Sequence, residues 1–219
     1  MKKLIILLIF GCLFTGIFAI INNPHFEKKI NIKSNAFDQG ILKEGDVIFQ
    51  TSNYGQSWAV QKATDSKYSH VGILFKEDGK WMVYEAVQPV QKITLNEFIS
   101  HGDQKHFTVS RFIRDDQISQ EEISKMKLFF DKLEGKDYDI YFEWSDKTWY
   151  CSELVWKMYD HVGIKISEFE KFGQYNLEDP AVKEIISQRF KNGVKLDETV
   201  ITPRGIYESP YMKEVYTNY

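Results

Sequence analysis

The segment SHVGILFKEDGKWMVYEAV, Ser69 to Val87, limits the folds open to this chain more than any other. Two apolar runs, about Ser69 to Phe75 and Trp81 to Val87, flank a turn containing Asp78 and Gly79, the pattern of a β-hairpin. A two-residue turn pairs Glu77 with Lys80, and the same pairing sum sets His70 opposite Val87 and Glu85 opposite Gly72. His70 and Glu85 are then diagonal neighbours on one face, about 7–8 Å apart at the backbone and within reach of a long side chain. Gly72 leaves space for the carboxylate to cross. A three-residue turn would shift the register by one and send Glu85 to the other face, where it would be an ordinary exposed strand glutamate.

Around this hairpin the chain reads as one α+β domain from residue 23 to 219, with a polar lead-in up to about residue 43 and no internal repeat or linker. GDVIFQ (Gly45 to Gln50) and HFTVSRFI are further strands, and SWAVQKATDS has the apolar spacing of a short helix ending near Thr64. TLNEFISHG predicts a helix capped by Thr94, with Glu97 completing a capping box. Ser119 to Leu133 is amphipathic, with acids early, a lysine late and Gly135 as its stop. CSELVWKMYDHVGI follows a helical template to Gly163, and Pro180 to Phe190 is another helix. Strand, hairpin, strand and helices in this order describe a mainly antiparallel sheet packed on helices.

The first 22 residues form a separate unit. Two lysines precede an apolar run from Leu4 to Ile21, the layout of a signal peptide or a short N-terminal anchor, and export to the periplasm or cell envelope is the simpler expectation. Cleavage after Ala19 meets a bulky Ile17, so a retained anchor with membrane association stays open. So does lipidation at Cys12, which follows Gly11. In each case the domain itself holds one cysteine, Cys151, which has no internal partner for a disulfide. A net charge of −3 and the lack of a basic stripe argue against a nucleic-acid partner. No HExxH or CxxC spacing calls for a metal, no Gly-rich loop cradles a phosphate, and no cofactor is expected.

Cys151 opens its predicted helix, where unpaired N–H groups and the positive end of the macrodipole favour a thiolate and could hold an oxyanion. A buried, inert cysteine is the plainer alternative. Among five histidines, His70 has the most suitable address for a base, on a rigid strand. His25 lies in the lead-in, His101 and His106 flank a loop, and His161 falls on the polar side of its helix. Glu85 is then the residue to orient His70. Tyr138, in the loop before Cys151, is either an oxyanion donor or a structural hydrogen-bonding group. Ser152 and Glu153 read first as stabilisers of the helix start, with Ser152 kept beside Tyr138 as an oxyanion or substrate-binding candidate. Asp46 reads as a turn carboxylate. Tyr141, Phe142, Trp144, Trp149 and Tyr150 wall a cleft or fill the core.

Taken together, GDVIFQ, YSHVGILF, YEAV, GKDYD and YCSELVWK resemble, in order, the motifs of the YiiX/YebB-like branch of the NlpC-type permuted papain-like cysteine hydrolases. The resemblance covers about residues 43 to 205. It implies a circularly permuted papain-like fold in which the histidine precedes the cysteine, with Cys151 as nucleophile, His70 as base, Glu85 as its orienter, and Tyr138 also at the site. It further implies attack on a carbonyl through a thioester, on a peptide, amino-acid or lipid acyl substrate. Export favours amide bonds of cell-wall peptides. A lipid acyltransferase or lipase at a membrane, and a silent binding module, are the alternatives, and the oligomeric state is left open.

Overall fold

Asp78 and Gly79 both take left-handed φ, 47° and 78°, the turn geometry whose twist matches that of paired strands. The hairpin therefore closes with two turn residues: β2 (His70–Glu77) and β3 (Lys80–Ala86) pair antiparallel with Glu77 opposite Lys80 and Ile73 opposite Tyr84. This is the register that keeps His70 and Glu85 on one face. The computed structural model describes residues 40–114 and 117–219; the N-terminal segment, with Cys12 and His25, lies outside the described residues. No described helix is long and apolar enough to cross a membrane.

β1 (Val47–Gln50) pairs with the free side of β2, placing Gln50 opposite His70, and β5 (Thr108–Phe112) pairs with β1. Two strands not foreseen from sequence complete the sheet: β4 (Val90–Thr94) beside β3 and β8 (Met212–Thr217) beside β5, giving the order β4-β3-β2-β1-β5-β8. Both carry charged residues among few apolar ones and show little alternation, as suits edge strands. Asp46, just ahead of β1, closes the turn by accepting from the Lys43 N–H at 2.8 Å. It also takes a bidentate pair of bonds, both 2.7 Å, from Arg111 on β5. Burial raises the Asp46 carboxyl above its ordinary range, and the Arg111 guanidinium opposes that rise.

Helices cover the sheet where their caps and apolar faces dictate. α1 (Ser57–Thr64) follows β1; α2 (Leu95–Ser100) starts at the Thr94–Glu97 capping box and α3 (Gln120–Asp131) at a second one, Ser119–Glu122. α4 (Cys151–Asp160) lies against β2 and β3 and buries Leu154, Val155, Met158 and Tyr159 into the core with Phe49, Ile73 and Phe75. Truncating one such leucine typically costs about 2–5 kcal/mol, so the helix carrying Cys151 is well anchored to the core. The short strands β6 (Glu170–Lys171) and β7 (Thr199–Val200) pair with each other. α5 (Pro180–Arg189) packs on α1, and α6 (Pro203–Tyr207) leads to β8.

Candidate active site

The start of α4 is fixed by a buried carboxylate. Glu153 accepts from the backbone N–H groups of Tyr150 and Ser145 at 3.4 and 3.3 Å and pairs with Lys157 at 2.8 Å. Burial lifts Glu153 to about 7, and Lys157 counters the rise. A helix start leaves its first N–H groups without intrahelical partners. Cys151, the first residue of α4, is therefore presented at the positive end of the helix, 4% exposed.

His70 meets it from the first position of β2. Its Nε2–H donates to Glu85 Oε2 at 2.6 Å, and the Cys151 side chain is near enough to act with Glu85 in raising the imidazole's pKa. With Nε2 engaged by Glu85, Nδ1 is the nitrogen left for the sulfur. Gln91, opposite Glu85 in the β3–β4 ladder, donates to the second carboxylate oxygen at 2.9 Å, so neither oxygen is free to swing away. The Phe98 ring stacks on the imidazole, centroids 5.5 Å apart, and Tyr54 meets it edge-on at 5.8 Å. His70 is thus largely buried, 4% exposed.

Burial by itself would lower the His70 pKa. The interaction with Cys151 and the hydrogen bond to Glu85, with the negative charge on both, outweigh it and raise the imidazole from 6.5 to about 10. Glu85 shows the converse. Burial would raise it, but the bond and charge of His70, with the Gln91 bond and the His101 charge, bring it below its ordinary value. The pair therefore reads as carboxylate and imidazolium.

Gly72 meets more than the Glu85 side chain. A Cβ there would lie 2.4 Å from Val83 Cγ1 and 3.1 Å from the Tyr84 carbonyl oxygen, and only 3.6 Å from Glu85 Cβ. The glycine thus admits the Val83 side chain and the β3 backbone, and the carboxylate crossing benefits indirectly.

Tyr138 sits in the same site. Its hydroxyl accepts from Gln56 Nε2 at 2.8 Å, and its backbone N–H donates to Gln88 Oε1 at 2.7 Å. Burial, then the charge of Cys151, hold the phenol well above the ordinary tyrosine value, so it stays a donor. The Ser152 hydroxyl donates to the Ile201 carbonyl at 2.8 Å, and the Ile201 N–H donates to the Tyr150 hydroxyl at 3.2 Å. The Ser152 side chain thus braces the helix start, leaving its backbone N–H as the group able to face a substrate. Of the aromatic residues before the cysteine, Phe142 and Tyr150 wall the site and Trp149 lies in the core.

Two cavities flank the site, one lined by Cys151 and the other by His70. Cys151 opens onto an almost wholly apolar one of about 90 Å³ between α1 and α5, walled by residues such as Val182, Ile186, Phe190 and Ile201. A single water needs only about 10–15 Å³ on this scale. His70 opens onto a groove of mixed polar and apolar lining that includes Tyr54, Gln88 and Gln91, and Gln56, Tyr138 and Arg189 border both spaces. Sequence reasoning did not single out Gln56, Gln91, Phe98 or Arg189. Gln91 was within reach of a second register argument across β3 and β4. Gln56 and Arg189 meet only because α1 packs on α5, which no local pattern announces. His101, read as a loop-flanking residue, caps α2 and accepts or donates at 3.2 Å to the Tyr54 hydroxyl beside the site.

Residues 41–216 match the family described as "Permuted papain-like amidase enzyme, YaeF/YiiX, C92 family". The chain is 37% identical over 172 residues to the protein YiiX of Escherichia coli strain K12, covering 78% of this chain and 84% of that one. It is also similar to the crystal structure of YiiX from Escherichia coli O157:H7, with a TM-score of 0.76 and 36% identity, over 81% of this chain and 98% of that one. That YiiX is described as a metalloprotein. Among the described residues of this chain, no group of three or more His, Cys, Asp or Glu side chains is arranged to hold a metal ion. Beside Cys151, His70 Nε2 is taken by Glu85 Oε2 and the second Glu85 oxygen by Gln91.

Proposed function

This chain belongs to the YaeF/YiiX family of permuted papain-like amidases, enzymes of the cysteine-peptidase type, and from that premise we propose that it hydrolyses amides carrying an apolar acyl group, with Cys151 as nucleophile. The observation that carries this reading is that Cys151 lines an almost wholly apolar cavity, while His70 lines a second groove of mixed polar and apolar character. An acyl chain fits the first, where each buried methylene contributes roughly 0.8 kcal/mol. The amine to be released fits the second, beside the proton it needs.

In the proposed reaction the Cys151 thiolate attacks the amide carbonyl carbon. The carbonyl oxygen becomes an oxyanion held by N–H groups at the start of α4 and by the Tyr138 hydroxyl, each donor contributing about 3 kcal/mol. The His70 imidazolium gives its proton to the nitrogen, the C–N bond breaks, and the amine leaves a thioester on Cys151. Neutral His70 then takes a proton from water, which attacks the thioester; the second oxyanion collapses, expelling the thiolate and releasing the acid. Glu85 keeps the ring oriented and stabilises its charge throughout.

The apolar cavity also supports a second reading, in which an alcohol or amine replaces water and the enzyme is an acyltransferase at a membrane. Export through the N-terminal segment would place either reaction in the cell envelope, which cell fractionation of the full chain checks. The substrate test is a series of amides of one amine with acyl groups from acetyl to dodecanoyl, beside cell-wall peptides. On this reading kcat/KM rises with chain length until the cavity is full, and turnover restricted to wall peptides would overturn it. Adding an alcohol acceptor separates acyl transfer from hydrolysis by the product formed.

A further inference from the structure

We propose that Gln56 and Arg189 are positioning residues that fix the direction of the Tyr138 hydroxyl proton, so that it points at the reacting carbonyl oxygen. This rests on the reading of Cys151 as nucleophile and of Tyr138 as an oxyanion donor. Arginine only donates, so the Gln56 atom 2.6 Å from Arg189 Nη1 is the carbonyl oxygen, Oε1. The other end of the same amide is then the NH₂ group, which also only donates, and it lies 2.8 Å from the Tyr138 oxygen. Tyr138 must accept that bond. Its own single proton is thereby turned away from Gln56 and toward the cavity it shares with Cys151.

Three further observations fit a dedicated relay. Gln56 occupies the N-cap position of α1, yet its side chain makes no capping bond there; the amide is committed to Arg189 and Tyr138 instead. Arg189, at the end of α5, also donates to the Ile140 carbonyl at 3.3 Å, steadying the loop two residues after Tyr138. Its positive charge opposes the burial that weakens the Tyr138 phenol as an acid, which makes the hydroxyl a better donor to a forming oxyanion.

Gln56→Glu tests this with little change of shape. The carboxylate still accepts from Arg189, but it offers Tyr138 an acceptor in place of a donor, and the phenol proton turns toward it. Acyl-enzyme formation on Cys151 in the parent is measured first, with a hexanoyl amide. We expect Gln56→Glu to lower kcat about 10²-fold, the usual loss on removing one oxyanion donor, with KM within about twofold of the parent. Tyr138→Phe should lose a similar factor, and the double variant no more than either alone, because both remove the same donated bond. Arg189→Met should lose several-fold and Arg189→Lys should recover part of it, since a lysine still donates to Oε1. Parental kcat in Gln56→Glu, or losses that multiply in the double variant, would overturn the relay alone. Absence of any acyl-enzyme in the parent would overturn the hydrolase reading and the relay with it.

Discussion

Glu85 reaches diagonally across the β2–β3 ladder to hold His70 Nε2 at 2.6 Å, and the geometry of the site follows from that crossing. The hairpin turn sets the register, the register puts both side chains on one face, and Gln91 holds the far oxygen of the carboxylate. An imidazolium stabilised in this way is a strong prediction about a single proton.

Glu85→Gln keeps the shape and removes the charge. Burial then acts on His70 with less opposition, so its pKa should fall from about 10. The Cε1–H resonance of His70 should stay at its protonated position to well above pH 8 in the parent and titrate lower in the variant. Activity should fall by up to about 10⁴-fold, the loss seen when the orienting carboxylate of a Ser-His-Asp triad is neutralised.

The same pair predicts a pH window for stability. His70 is raised above its ordinary 6.5, so its contribution is complete below that value and is lost as pH climbs through about 10. Glu85 is lowered below its ordinary 4.5, so its contribution is present above that value and is lost as pH falls. The excess thermal stability of the parent over Glu85→Gln should be greatest between those ordinary values and decline on both sides. A difference independent of pH would show that the pair is not ionised.

Gly72→Ala should destabilise by about 1–3 kcal/mol through overpacking, because its new methyl would overlap Val83 Cγ1. The strand that must shift also carries Glu85, so activity should fall with stability. Adding Val83→Ala removes the clash, and chemical denaturation of the double variant should show part of the loss restored.

Ile186→Phe narrows the apolar cavity without touching Cys151, His70 or Glu85. Steady-state kinetics should show kcat/KM for a dodecanoyl amide falling about tenfold or more, while the value for an acetyl amide changes little. An equal fall for both would remove the acyl chain from that cavity.

Arg111→Met leaves the Asp46 carboxylate buried without its bidentate partner. Breaking a buried pair from one side typically costs about 3–5 kcal/mol, and urea denaturation should show a loss of that order. The effect belongs to the β1–β5 pairing and should leave the kcat of the remaining folded enzyme close to that of the parent.

Much of this architecture was legible in the sequence because it is set by local rules. The two-residue turn at Asp78 and Gly79 determined the His70–Glu85 register, and Thr94 with Glu97 and Ser119 with Glu122 marked helix starts by their capping chemistry. The helix beginning at Cys151 was readable from its apolar periodicity. β4 and β8 were not, since edge strands lack the apolar alternation that burial imposes on inner ones. The tightest constraint on Gly72, its packing against Val83, was not legible because it is a cross-strand contact that residue type does not reveal. Gln56, Phe98 and Arg189 come to the site through tertiary packing, and a glutamine or an arginine near a helix end carries no pattern that marks it.

Intact-protein mass spectrometry after millisecond mixing with an activated hexanoyl ester tests the central claim most directly. A single hexanoyl adduct is expected on the peptide containing Cys151, absent in Cys151→Ala and formed far more slowly in His70→Ala. An adduct on another residue, or an equal rate of Cys151 acylation without His70, would contradict that claim.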